Sequence, residues 1–98
     1  MIRLYIKHGG RFYIIYLAER LAELLTAMRG LHLEPKRLRL IHARQGDQAC
    51  MILVEGRKHG RPGLKVEAPL VIYQGEGRNY TAEVHDIYAG KAPSTLIR

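Results

Sequence analysis

The stretch Arg11–Leu17 (RFYIIYL) is almost continuously apolar and rich in aromatic and β-branched side chains. Such a run predicts a strand buried on both faces, as in a parallel sheet covered by helices. Directly after it the period changes. Leu17, Leu21, Leu24, Leu25 and Met28 follow helical spacing. Ala18–Arg29 is therefore expected to be an amphipathic helix with its stripe in the core. Glu19 suits its first turn and Arg29 its last, and Gly30 is expected to end it in a left-handed conformation. Leu38–Ala43 (LRLIHA) alternates and reads as a strand introduced by Pro35, and Ala49–Glu55 (ACMILVE) reads as another. The polar loop Arg44–Gln48 between them is short, so the two strands are expected to be antiparallel neighbours.

The two ends are less regular. Met1–His8 fits an alternating strand or the last turns of a helix, with a break at His8-Gly9-Gly10. Gly56–Pro69 is punctuated by glycine and proline and is expected to be an irregular loop. Leu70–Tyr73 predicts a short strand. Gly75-Glu76-Gly77 predicts a turn, from which Asn79–Thr81 returns as a hairpin partner. Thr81 is expected to cap a helix running to Tyr88 with Val84, Ile87 and Tyr88 inward. Gly90–Arg98 reads as a frayed tail.

This organisation is one partial α/β domain. A sheet-and-helix core spans residues 10–58. A basic loop, hairpin and short helix span 59–90, and a tail spans 91–98. With 98 residues, 47% apolar and 26% charged, the chain has the composition of a folded domain rather than a disordered one. So short a chain buries a limited fraction of its surface. The apolar Arg11–Leu17 edge is therefore expected either to be covered by Met1–Lys7 folding back across Gly9-Gly10, or to join a second copy in a homodimer or a missing amino-terminal half.

Charge adds a second theme. Between Arg29 and Lys65 stand nine Lys/Arg against three Asp/Glu, which places +6 of the net +7 in that stretch. Lys36, Arg37 and Arg39 lead into one strand, and Arg57, Lys58, Arg61 and Lys65 leave its neighbour. In an antiparallel pair the start of one strand lies beside the end of the other, so these seven are expected to gather into one patch. Arginine forks and glycine-rich backbone suit phosphate oxygens, which makes a polyanion the candidate partner. A solvated loop is the competing reading. Tyr73 and Tyr80, flanking the Gly75–Gly77 turn, read as packing residues before they read as a base-stacking platform.

Other chemistry finds little support. Cys50 is the single cysteine. It excludes a disulfide framework, opens an apolar run and is expected to be a small buried residue in a reducing, cytoplasmic setting. No histidine pair has zinc-site spacing. Glu83, His85 and Asp86 do not converge on a helix, so a solvated face is expected. No secretory leader and no membrane-length apolar run is visible. No catalytic, cofactor or metal residue is assigned.

Five blocks together resemble a known family. Gly9–Leu21 (GGRFYIIYLAERL), Leu33–His42 (LEPKRLRLIH), Ala49–Lys58 (ACMILVEGRK), His59–Tyr73 (HGRPGLKVEAPLVIY) and Tyr80–Tyr88 (YTAEVHDIY) are similar, in order and spacing, to the carboxy-terminal part of the bacterial methyltransferases that modify an adenine of tRNA(Val) at N6. Ala18, His59 and Ala68 depart from that pattern, where Pro, Gly and a second Pro are expected. The resemblance implies the carboxy-terminal half of a Rossmann-like, class I methyltransferase sheet. Arg11–Leu17 would be its fifth strand, Leu38–Ala43 its sixth, and Ala49–Glu55 its seventh, antiparallel between them. It implies S-adenosylmethionine as cofactor of the intact enzyme and tRNA as partner. The family's cofactor-binding glycine motif and its Asn-Pro-Pro-Tyr motif lie on earlier strands. Pro35, Pro62, Pro69 and Pro93 include no such motif, so no cofactor is expected to bind this chain alone. The alternative is a stand-alone, non-catalytic RNA-binding or protein-interaction module built on the same half fold.

Overall fold

The structure, a computed structural model, describes residues 4–8, 10–77 and 79–88. The expectations for residues 1–3, for Gly9 and for the tail lie outside these residues, as do those for the side chains of Ile87 and Tyr88. The elements run β1 (Leu4–His8), β2 (Arg11–Leu17), a single 3₁₀ turn (Ala18–Arg20), α1 (Leu21–Gly30), β3 (Leu33–His42) and β4 (Ala49–Lys58). They continue with β5 (Lys65–Val66), β6 (Leu70–Val71), β7 (Tyr73–Gln74), β8 (Asn79–Tyr80) and α2 (Ala82–Tyr88).

The main sheet is ordered β1-β2-β4-β3-β5, with β6 also on β3. β4 is antiparallel to both β2 and β3, so β2 and β3 run the same way, joined through α1 with β4 inserted between them. That arrangement is the one the resemblance implies. Met1–His8 resolves, for Leu4–His8, as a strand. β1 pairs antiparallel with β2 from Leu4 opposite Ile15 to His8 opposite Arg11, turning through Gly10 at φ +77°. The outer edge of β2 is thus occupied by β1.

Alternation along the strands makes two faces. One carries Ile14, Tyr16, Leu38, Ile52 and Val54, packed under Leu24 and Met28 of α1. Gly56 lies where a side chain would meet the Met28 methyl, since a Cβ there would come within 2.7 Å of Met28 Cε. The other face carries Tyr13, Leu53, Ile41 and Leu70, with Val84 of α2 packed against them. β4, central in the sheet, is buried on both faces over Ile52–Gly56.

Several expectations need correcting. The helix starts as a 3₁₀ turn and carries on through Gly30, and the left-handed residue that follows is His32, at φ 59°. β3 begins at Leu33, because a bulge between Pro35 and Arg37 lets a proline that lacks an N–H sit inside the strand. Gly56–Pro69 is not irregular throughout, since Gly56–Lys58 belong to β4 and Lys65–Val66 form β5, while the expected strand is present at Leu70–Val71. β5 and β6 both run parallel to β3, with Arg37 opposite Lys65 and Ile41 opposite Leu70, on either side of residues 67–69. Thr81 stands at the start of α2, its carbonyl accepting from the His85 N–H at 3.1 Å, while its hydroxyl donates to the Val71 carbonyl at 2.7 Å and ties the helix start to β6. Cys50 is exposed rather than buried. It is the extra residue of a second bulge, between Ile41 and His42, and its thiol donates to the Ile41 carbonyl at 3.4 Å.

Candidate nucleic-acid interface

Register decides which basic residues meet. Across the face opposite α1, Tyr13 stands beside Glu55, Glu55 beside Arg37, and Arg37 beside Lys65. One step along, Arg11 stands beside Arg57. The bulge leaves Lys36 as the extra residue at the same end. Arg11, Lys36, Arg37, Arg57 and Lys65 therefore line one concavity of roughly 640 Å³, with Glu55 in its wall. Glu55 is 1% exposed. Arg37 and Arg57 approach its carboxylate at 3.7 and 3.9 Å. Lys36 donates to the Arg61 carbonyl at 2.7 Å, which pins the glycine-rich turn against the cleft.

The structure divides the seven residues expected in one patch. Lys36, Arg37, Arg57 and Lys65 share the cleft. Arg61 is exposed in the adjoining turn. Lys58 follows Arg57 on a strand and so faces the other side, where it donates to the Leu31 carbonyl at 2.9 Å. Arg39 is 3% exposed. It donates to the Ala68 carbonyl at 2.8 Å and to Glu83 at 2.6 Å, beneath α2, so it holds the fold and is not on the surface. Arg11 belongs to the cleft and was not among the expected residues. The register of β2 against β4 is the signal that finds it.

The cleft lies at the amino end of β2. Ligands of open α/β sheets bind outside the carboxyl ends of the parallel strands, which here means beyond Leu17 and His42. The length of β2 separates the two ends by roughly 20 Å at ~3.3 Å per residue. At the carboxyl end, Tyr73 and Tyr80 form a cross-strand pair with ring centroids 5.5 Å apart and nearly parallel. The Arg44 guanidinium lies 5.0 Å from the Tyr73 ring and donates to the Glu76 and Gly77 carbonyls. His85 meets Tyr80 edge-on. These rings stack on one another and on Arg44, as packing residues do.

The Gly75-Glu76-Gly77 segment does not fit the implied cofactor. It is the turn of the β7–β8 hairpin, not a strand-to-helix turn, and Arg44 occupies its carbonyls. Among the described residues no group of three or more His, Cys, Asp or Glu is placed to hold a metal. Among the same residues no helix is long and apolar enough to cross a membrane.

No protein-family model matches the chain, and no curated protein matches it. A solved structure does. The crystal structure of a predicted O-methyltransferase, protein Atu636 from Agrobacterium tumefaciens, aligns at a TM-score of 0.74 with 30% identity over 89% of this chain. The chain spans 41% of the length of that protein. With its mixed sheet, crossover helix and inserted antiparallel strand, the chain has a methyltransferase-like, Rossmann-type fold.

Proposed function

We propose that this chain is the carboxy-terminal portion of an S-adenosylmethionine-dependent methyltransferase acting on adenine N6 in tRNA, that it contributes tRNA contacts, and that it is inactive alone. The five-block resemblance supports the acceptor. The inserted antiparallel strand between β2 and β3 supports the enzyme class. One observation carries the RNA contact: five cationic side chains from β2, β3, β4 and β5 converge on a single cleft. Such a cleft attracts a phosphate backbone without reading its sequence.

The position of the cleft shapes the reading. An RNA engaged at both ends of the sheet must span roughly 20 Å, or about six nucleotides at ~3.4 Å per step along a strand. A folded stem-loop meets that requirement and a free nucleoside does not. The similar structure is that of a predicted O-methyltransferase, and the acceptor atom of this chain's reaction rests on the resemblance alone.

Two measurements test the proposal. Calorimetry is expected to show no S-adenosylmethionine binding to this chain, and labelled methyl groups are expected not to reach unmodified tRNA. Micromolar cofactor affinity, or methyl incorporation by the chain alone, overturns the assignment of inactivity. The alternative module shares the RNA contact. It is favoured if no longer polypeptide containing this sequence methylates tRNA.

A further inference from the structure

The fold leaves one edge of the main sheet open at β5. On its inner side β5 pairs with β3, and the Glu67 N–H donates to the Leu38 carbonyl at 2.8 Å. Backbone groups alternate in direction along a strand, so the Val66 N–H and C=O point outward. Further along, beyond β6, the edge is covered. The Thr81 hydroxyl donates to the Val71 carbonyl and the Thr81 N–H to the Ile72 carbonyl. Among the described residues nothing comparable lies on the outer side of β5. Apolar side chains are exposed there too, Leu64 at 40% and Val66 at 64%. Val66 stands beside Leu38, which packs under α1, but the helix does not reach it. Such an edge is a template for another strand.

We infer that two copies of this chain join at this edge, β5 against β5, antiparallel about a two-fold axis at Val66. The segment Leu64-Lys65-Val66-Glu67 complements itself in that register and in no neighbouring one. Val66, with both backbone groups outward, exchanges two hydrogen bonds with its own counterpart. Lys65 then faces Glu67 of the second copy, and Glu67 faces its Lys65. These are the pairs without backbone bonds, where Cα atoms lie about 4.5 Å apart and side chains approach closely. An axis at Lys65 or at Glu67 sets like charges opposite each other, and an axis at Leu64 leaves Lys65 opposite Gly63. Among the described residues neither Lys65 nor Glu67 has an ion-pair partner within the chain. Pro62 and Pro69 bracket the segment, and proline ends strand pairing, so the contact is confined to residues 63–68. A two-fold contact of one patch with itself closes at two chains. The axis is perpendicular to the sheet, so the two basic clefts fall on one face and adjoin across it. The inference stands apart from the RNA-contact reading.

Sedimentation equilibrium on the whole chain, without RNA, tests the inference. The mass is expected to rise from one chain to two, with a dissociation constant on the order of 10–100 μM for so short a pairing. Lys65→Glu alone and Glu67→Lys alone each set like charges opposite each other on both sides of the axis. Each is expected to weaken the dimer on the order of tenfold. Both substitutions in one chain exchange the charges and are expected to restore the affinity to within about threefold. Lys65 is exposed and Glu67 half-buried, and recovery in the double variant separates lost pairing from lost folding. A single-chain mass at every concentration overturns the inference, as does assembly beyond two chains. A dimer that both single substitutions leave unchanged overturns the assignment to this edge. Weakening that the double exchange does not restore overturns the register at Val66.

Discussion

Arg39→Ala is expected to destabilise the fold by about 3 kcal/mol, the range found when one partner of a buried ion pair is removed. The Arg39 side chain is 3% exposed and that of Glu83 is 23% exposed. Removing the guanidinium takes away the 2.6 Å contact to Glu83 and the 2.8 Å donation to the Ala68 carbonyl. It also leaves a cavity over Leu53, which faces Arg39 across the sheet. The partial exposure of Glu83 keeps the cost near the lower end of that range. A domain of this size has roughly 5–15 kcal/mol in total, so urea unfolding reads the change easily. Replacing both partners by apolar residues, Arg39→Met with Glu83→Leu, is expected to recover most of the loss. A change below about 1 kcal/mol in Arg39→Ala contradicts the assignment of Arg39 to the core.

Reversing two cleft charges, Arg57→Glu with Lys65→Glu, is expected to weaken tRNA binding on the order of 100-fold at low salt. The estimate takes two charge-assisted phosphate contacts at about 1.5 kcal/mol or more each. The same change lowers the slope of log affinity against log salt by about two. Arg57 carries a half-exposed side chain and Lys65 an exposed one; Arg57 also lies 3.9 Å from the buried Glu55 carboxylate, so the reversal is read on protein shown by urea unfolding to remain folded. Lys58→Ala supplies the contrast. Lys58 is next to Arg57 in sequence but faces α1, where it bonds the Leu31 carbonyl. Its loss is expected to leave the salt slope unchanged. Equal effects of Lys58→Ala and the double reversal, measured by filter binding, contradict the division of the patch by sheet face.

The pattern of the chain reveals more of the fold than of the site, for physical reasons. Arg11–Leu17 and Ala49–Glu55 are legible because strands buried on both faces lack polar interruptions. The crossover helix is legible from its stripe. Lys65–Val66 is not, because a two-residue run paired to β3 within a glycine- and proline-punctuated stretch leaves no periodic signal. Lys36 and Cys50 each sit at a bulge, and a bulge shifts the side-chain alternation without a marker in composition. The cleft was half legible. The expected antiparallel pairing of two strands brings Lys36, Arg37, Arg57 and Lys65 together. Only the strand parity separates Lys58 from them, and only the position of α2 over that face removes Arg39. Glu55 looked like the end of an apolar strand. Its role depends on Arg37 and Arg57, which reach it from two strands.

Binding of unmodified tRNA to the unaltered chain, followed from about 50 to 200 mM salt, tests the account most directly. Five cleft cations, with Arg37 and Arg57 partly engaged by Glu55, predict a log–log slope of about −3, from ~0.9 per neutralised phosphate. No binding, or an affinity that does not change with salt, contradicts it.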